Sequence, residues 1–169
     1  MSEETKATKH PWWKPSIGVT IFLMLFGLWG GIPTYNKWRA DNMVDELCAK
    51  DGGIKVYETV ILPAPMFNKY GQPEIGLSKN KPSQNGLYFD LNIEDLVGNH
   101  NSSAIRDLVV MRSKTKIVRN SDRKTLGEKI SYTRRGGDAA GPWHPSHYTC
   151  PPNVTGWDLA TKVILMADK

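Results

Sequence analysis

Four residues in one short stretch have the types and spacing for chemistry. His144, His147 and Cys150 recur every third position, and Asp138 lies just upstream. Imidazole nitrogens and a thiolate are zinc-type ligands, and a carboxylate could complete a tetrahedral set. Cys150 and His147 could equally serve as a nucleophile and its base. Two features oppose both readings. Pro145, Pro151 and Pro152 break any helix that would present these side chains on one face. The only other cysteine is Cys48. Two cysteines in an exported domain most simply form one disulfide, and a bridged sulfur neither ligates nor attacks. The sequence therefore reads as a structural bridge Cys48–Cys150, with no catalytic residue, metal or cofactor. His144 and His147 remain as the bare metal candidates. Glu46, Asp51 and Thr59 lack the spacing of membrane-tethered lysozymes, although two carboxylates could in principle cleave a glycoside.

A second feature is charge. The net charge is +5 over 169 residues, and it is concentrated: Arg106–Arg135 holds ten Lys or Arg against Asp107, Asp122 and Glu128. The rest of the chain is close to neutral. A local excess of this kind suits an acidic protein surface or anionic lipid headgroups better than nucleic acid, for which no motif is present.

The elements that position these residues can be read from hydropathy. Ser16–Tyr35 carries no charged residue. As a helix it spans about 30 Å, the thickness of a bilayer's hydrocarbon core. Trp12 and Trp13 precede it, and Trp29, Tyr35 and Trp38 mark its far end, the pattern of an aromatic belt. A cleaved signal peptide is the rival reading, but the run is long and Trp29, Ile32 and Pro33 crowd the place of a small-residue cleavage site. The expectation is an uncleaved anchor at 16–36, a cytoplasmic tail at 1–15 and a periplasmic domain at 37–169. Lys6, Lys9 and Lys14 lean the tail inward under the positive-inside rule. Gly27 and Gly31 form a G-x-x-x-G pair through which two anchors could associate as a homodimer.

Beyond the anchor, Lys37–Lys50 has near-helical apolar spacing and is stopped by Gly52 and Gly53. Ile54–Leu62 reads as one strand, Leu87–Leu91 as a second, and Glu94–Gly98 as a turn of helix. Leu108–Val118 and Thr125–Thr133 form a hairpin around residues 120–123. Alternation puts Val109, Met111 and Ile117 on a core face, joined by Leu126, Ile130 and Tyr132 from the returning strand. It puts Arg112, Lys114 and Lys116 on the opposite, basic face, the candidate binding surface. Residues 136–152 read as a loop, and Asp158–Ala167 as a last strand or short helix. The fold class is α+β: one transmembrane helix, then a helix packed on an antiparallel sheet of about four to five strands.

Two stretches, CAKDGGIKVYETV (Cys48–Val60) and RRGGDAAGPWHPSHYTCPP (Arg134–Pro152), resemble parts of a set of short bacterial envelope proteins. The resemblance implies an envelope setting and brings no activity with it. The functional expectation is a non-enzymatic, single-pass inner-membrane adaptor whose periplasmic domain docks another envelope protein, with the lipid bilayer as its other partner. The alternatives are an envelope enzyme built on the 136–152 loop and a prophage-type superinfection-exclusion factor.

Overall fold

A computed structural model describes residues 17–102, 104, 106–139 and 144–167. The tail at 1–15 and the residues at 140–143 lie outside the described residues. The first element is one uninterrupted helix, α1, Ile17–Asp51. At about 1.5 Å per residue it extends roughly 50 Å, far more than a bilayer requires. Pro33 sits inside it, and Thr34 donates its hydroxyl to the Gly30 carbonyl at 2.7 Å. The helix is long and apolar enough to cross a membrane, and its most apolar window is not covered by the rest of the chain. Only beyond that window does α1 bury residues: Ala40, Val44 and Cys48, one stripe at a spacing of four.

The strands, in chain order, are β1 (Gly53–Val56), β2 (Val60–Leu62), β3 (Leu87–Val97), β4 (Val109–Arg119), β5 (Thr125–Arg135) and β6 (His147–Cys150). A second helix, α2 (Gly156–Val163), leads into β7 (Ile164–Met166). The main sheet is antiparallel in the order β1-β5-β4-β3, and β6 also pairs with β5. Strands β1 and β6 divide one edge of β5, β1 along Gly127–Ile130 and β6 along Tyr132–Arg135. The architecture is the expected α+β arrangement of helices on a five-stranded antiparallel sheet.

Both faces of the sheet are covered. One packs Leu87, Ile117 and Leu126 against Leu159, Ala160, Val163 and Ile164. There α2 lies so close that a Cβ on Gly127 would come within 2.6 Å of Val163 Cγ2, so glycine is required. A capping box fixes the start of α2: Thr155 and Asp158 exchange side-chain-to-backbone hydrogen bonds. The other face packs Val110, Ile130 and Tyr132 against the buried stripe of α1.

Several expectations change. Ile54–Leu62 is two strands, because the Tyr57 and Glu58 N–H groups both donate to the Leu126 carbonyl and turn the chain out of the sheet. Strand β2 then pairs in parallel with β7. Glu94–Gly98 is not helical: β4 extends the pairing of β3 to Val97 through a register shift after Asp95. Residues 147–150 form a strand, not loop, and the C-terminal apolar segment is a helix and a strand in succession. The one-apolar, one-basic assignment of the hairpin is also corrected. Lys114 lies opposite Ile130 and Arg112 opposite Tyr132, so these cations share a face with core residues. A bulge at Leu126 of β5, opposite Ile117 and Val118, resets the alternation, so Leu126 faces one core and Ile130 and Tyr132 the other.

Cys48 and Cys150 are bonded, with Cα atoms 5.9 Å apart across a sequence separation of 102. In the chain-entropy description, closing a loop of that size stabilises the domain by about 4 kcal/mol. Titration of the unreduced protein is expected to find no free thiol. Cys48→Ser and Cys150→Ser should each abolish the non-reducing gel shift and lower the Tm by roughly 10 °C or more. Two titratable thiols in the unreduced protein would contradict the bridge.

Candidate functional site

The polar residues that looked chemical are drawn into one clasp between α1 and the sheet. Five α1 side chains reach it: Lys37, Asp41, Asp45, Cys48 and Asp51, spaced by three or four and so on one helix face. Lys37 Nζ lies 2.7 Å from Asp138 Oδ1. Asp41 accepts from Arg134 Nε at 2.8 Å. Asp45 accepts from the Tyr148 hydroxyl at 2.7 Å. Cys48 bonds Cys150. Asp51 accepts from the Tyr132 hydroxyl and from Arg112 Nη2, each at 2.6 Å.

Arg134 is the centre of this set, with only 4 % of its side chain exposed. Its Nη1 donates to the Gly136 and Ser146 carbonyls and to the Ser146 hydroxyl, at 2.6–3.2 Å. Asp138 closes the same knot by accepting from the Ser146 N–H and hydroxyl. Burial pushes the Asp138 carboxyl up, but the Lys37 ammonium and the two Ser146 donors outweigh it and hold the group below its ordinary value. For Asp51, the Tyr132 hydroxyl is the largest influence; with Arg112 it overrides burial, and this carboxyl too is depressed.

The residues that had the types of a metal or nucleophile site do not form one among the described residues. Asp138 is engaged by Lys37 and Ser146, Cys150 is oxidised, and His144 and His147 are exposed. No group of three or more His, Cys, Asp or Glu among the described residues is arranged to hold a metal ion. His100 pairs instead with Asp95 at 2.9 Å.

Half of the ten cations in the basic segment are ion-paired, four of them to acids from elsewhere in the chain. Arg112 pairs with Asp51, and Lys114 with Glu128 at 2.8 Å. Glu58 takes both Arg119 and Lys124, which hold its carboxyl below the usual range. Lys116 has no ion pair among the described residues. Gly27 and Gly31 lie in the uncovered part of α1, and a Cβ on either would meet nothing within 4 Å. Sequence reasoning missed Arg134, Asp41 and Ser146. The signal was available: Asp41 and Asp45 fall on the same stripe as Cys48, where an unpartnered acid would not be kept.

Several openings remain on the surface of the described residues. A cavity of about 280 Å³ lies where α1 meets the domain, lined by Trp29, Ile32, Pro33, Asn36, Arg106 and Leu108 among others. A shallow groove of about 290 Å³ lies on the far face of the sheet, lined by Leu77, Phe89, Leu91, Thr115, Gly156 and Trp157. Trp157 meets Phe89 edge-on at 5.7 Å yet keeps 40 % of its surface exposed, and Leu91 keeps 59 %.

Compared with known protein families, curated proteins and solved structures, the chain matches none.

The three candidate cations should separate on charge reversal. Arg112→Glu sets a carboxylate against Asp51 and should lower the Tm by roughly 5 °C or more, and Lys114→Glu beside Glu128 should act in the same direction. Lys116→Glu, which meets Glu128 and Asp90 across the strands but breaks no ion pair, should lower it less than either. Equal effects at all three positions, read by thermal denaturation, would contradict the pairing.

Proposed function

We propose that this chain is a non-enzymatic adaptor of the bacterial inner membrane. It crosses once, with its N-terminus cytoplasmic, and holds its domain in the periplasm to dock another envelope protein. The observation that carries the reading is an apolar groove left open on a domain whose anchoring helix is clasped to its sheet. Side chains that could have served catalysis are committed to that clasp, which disfavours an enzyme built on residues 136–152.

Location rests on two supports. The apolar part of α1 is exposed, which water would penalise and lipid would not. The disulfide suits an oxidising compartment. The bilayer's outer boundary then falls near Tyr35, at the end of the apolar run, with Trp29, Tyr35 and Trp38 as its aromatic belt.

A phosphatase fused after Lys169 is expected to be active, and a reporter that works only in the cytoplasm is expected to be silent at the same position. The reverse pattern would overturn the topology. With a photo-crosslinker in place of Leu91 or Trp157, cells should yield one discrete crosslinked species that is absent when the probe replaces Ser121 in the β4–β5 turn. Identical products from all three positions would contradict specific docking.

A further inference from the structure

Strand β3 ends the main sheet, and one half of its free edge is already used. The Phe89 N–H donates to the Gly76 carbonyl and the Gly76 N–H to the Leu87 carbonyl, both at 2.9 Å. After Gly76 the covering segment turns back on itself at Ser78–Lys81 and leaves the edge. Backbone groups alternate in direction along a strand, so Leu91 and Ile93 are in phase with Leu87 and Phe89. Their N–H and C=O groups point outward and have no backbone partner among the described residues. Every residue from Asp90 to Asp95 is exposed.

The side chains flanking this open edge differ by face. Leu91 and Ile93 continue the row of Phe89 beside the groove that holds Leu77 and Trp157. Asp90, Asn92 and Glu94 point to the opposite face. On that face charge alternates from strand to strand. Glu128 of β5 stands beside Lys116 and Lys114 of β4, and Lys116 and Arg112 stand opposite Asp90 and Glu94 of β3. The next row outward is therefore complemented by cations. A second copy of β3 would not supply them, because its free half carries Asp90, Glu94 and Asp95 and no Lys or Arg.

We propose that the Leu91–Ile93 edge is a docking site for an extended strand of another envelope protein, one whose apolar and basic residues alternate. The strand adds to the sheet through backbone hydrogen bonds to Leu91 and Ile93. It lays its apolar side chains toward the Trp157 groove and its basic ones beside Asp90 and Glu94. This specifies the partner chemistry of the adaptor reading and rests on it.

The test uses the full chain in detergent and a labelled, end-blocked eight-residue peptide of alternating valine and lysine, read by fluorescence anisotropy. Saturable binding is expected. A valine–glutamate peptide should bind at least tenfold more weakly, as should a valine–lysine peptide methylated at alternate backbone nitrogens. Ile93→Pro should also weaken binding at least tenfold. Its N–H points away from β4, so proline removes a donor the partner needs and no ladder bond of the sheet. Equal binding of the methylated peptide would reduce the contact to charge and overturn the proposal without reference to any variant's folding. No binding of the valine–lysine peptide would overturn it too. A wild-type dimer in sedimentation that Ile93→Pro dissociates would assign the edge to a second copy and overturn it likewise. The photo-crosslinks from Leu91 and Trp157 report the adaptor reading separately: if they persist while the peptide fails, only this inference falls.

Discussion

The structure depends on where the Arg134 guanidinium goes. A buried cation costs several kcal/mol in lost hydration, and that cost is offset only if the donors find good acceptors. Arg134 directs one side of its fork at Asp41 of α1 and the other at Gly136 and Ser146. Three segments remote in sequence must therefore be in place together: the helix above the apolar run, the end of β5 and the approach to β6. Asp138 and Lys37 repeat the same connection one turn away, and the disulfide makes it covalent. Removing Asp41 would leave the buried guanidinium without its counter-charge, so helix and sheet are expected to dock as a unit.

The clasp turns the helix into a mounting for the domain. A single helix usually meets its soluble domain through a linker, and the domain then tumbles. Here α1 runs without a break from the apolar segment into the sheet's packing, and Ala40, Val44 and Cys48 are core residues of the domain itself. The orientation of the sheet is inherited from the helix axis. With α1 and α2 covering opposite faces, the outer half of β3 is a free edge of the sheet with the groove beside it.

Much of this was legible in the sequence. The apolar run, the bridge, the hairpin and the α+β class come from hydropathy, cysteine count and turn chemistry, all of which are local signals. The errors share one cause: partners remote in sequence. The excess positive charge of Arg106–Arg135 looked like a binding face because its acids, Asp41, Asp51 and Glu58, lie more than fifty residues upstream. Glu94–Gly98 looked helical until β4 supplied its ladder. Ile54–Leu62 alternates like one strand, and nothing local says that its two halves join different sheets. The 136–152 stretch differs, because its chemical residue types serve structure. Asp138, His147 and Cys150 have the types of a site, but Ser146, an unremarkable residue between them, shows that the loop is built to receive Arg134 and Asp138.

If the Arg134 clasp forms as described, the domain is rigidly fixed to the apolar half of α1. The most direct test is the distance between nitroxide labels at Leu25, in the apolar part of α1, and Ser121, at the tip of the β4–β5 turn. It should be measured by pulsed electron spin resonance on the oxidised protein in a lipid nanodisc. One narrow distance distribution is predicted, broadening when Arg134 is replaced by glutamine. A broad or two-peaked distribution in the unaltered protein would mean that the domain swings on its anchor, and would contradict the account.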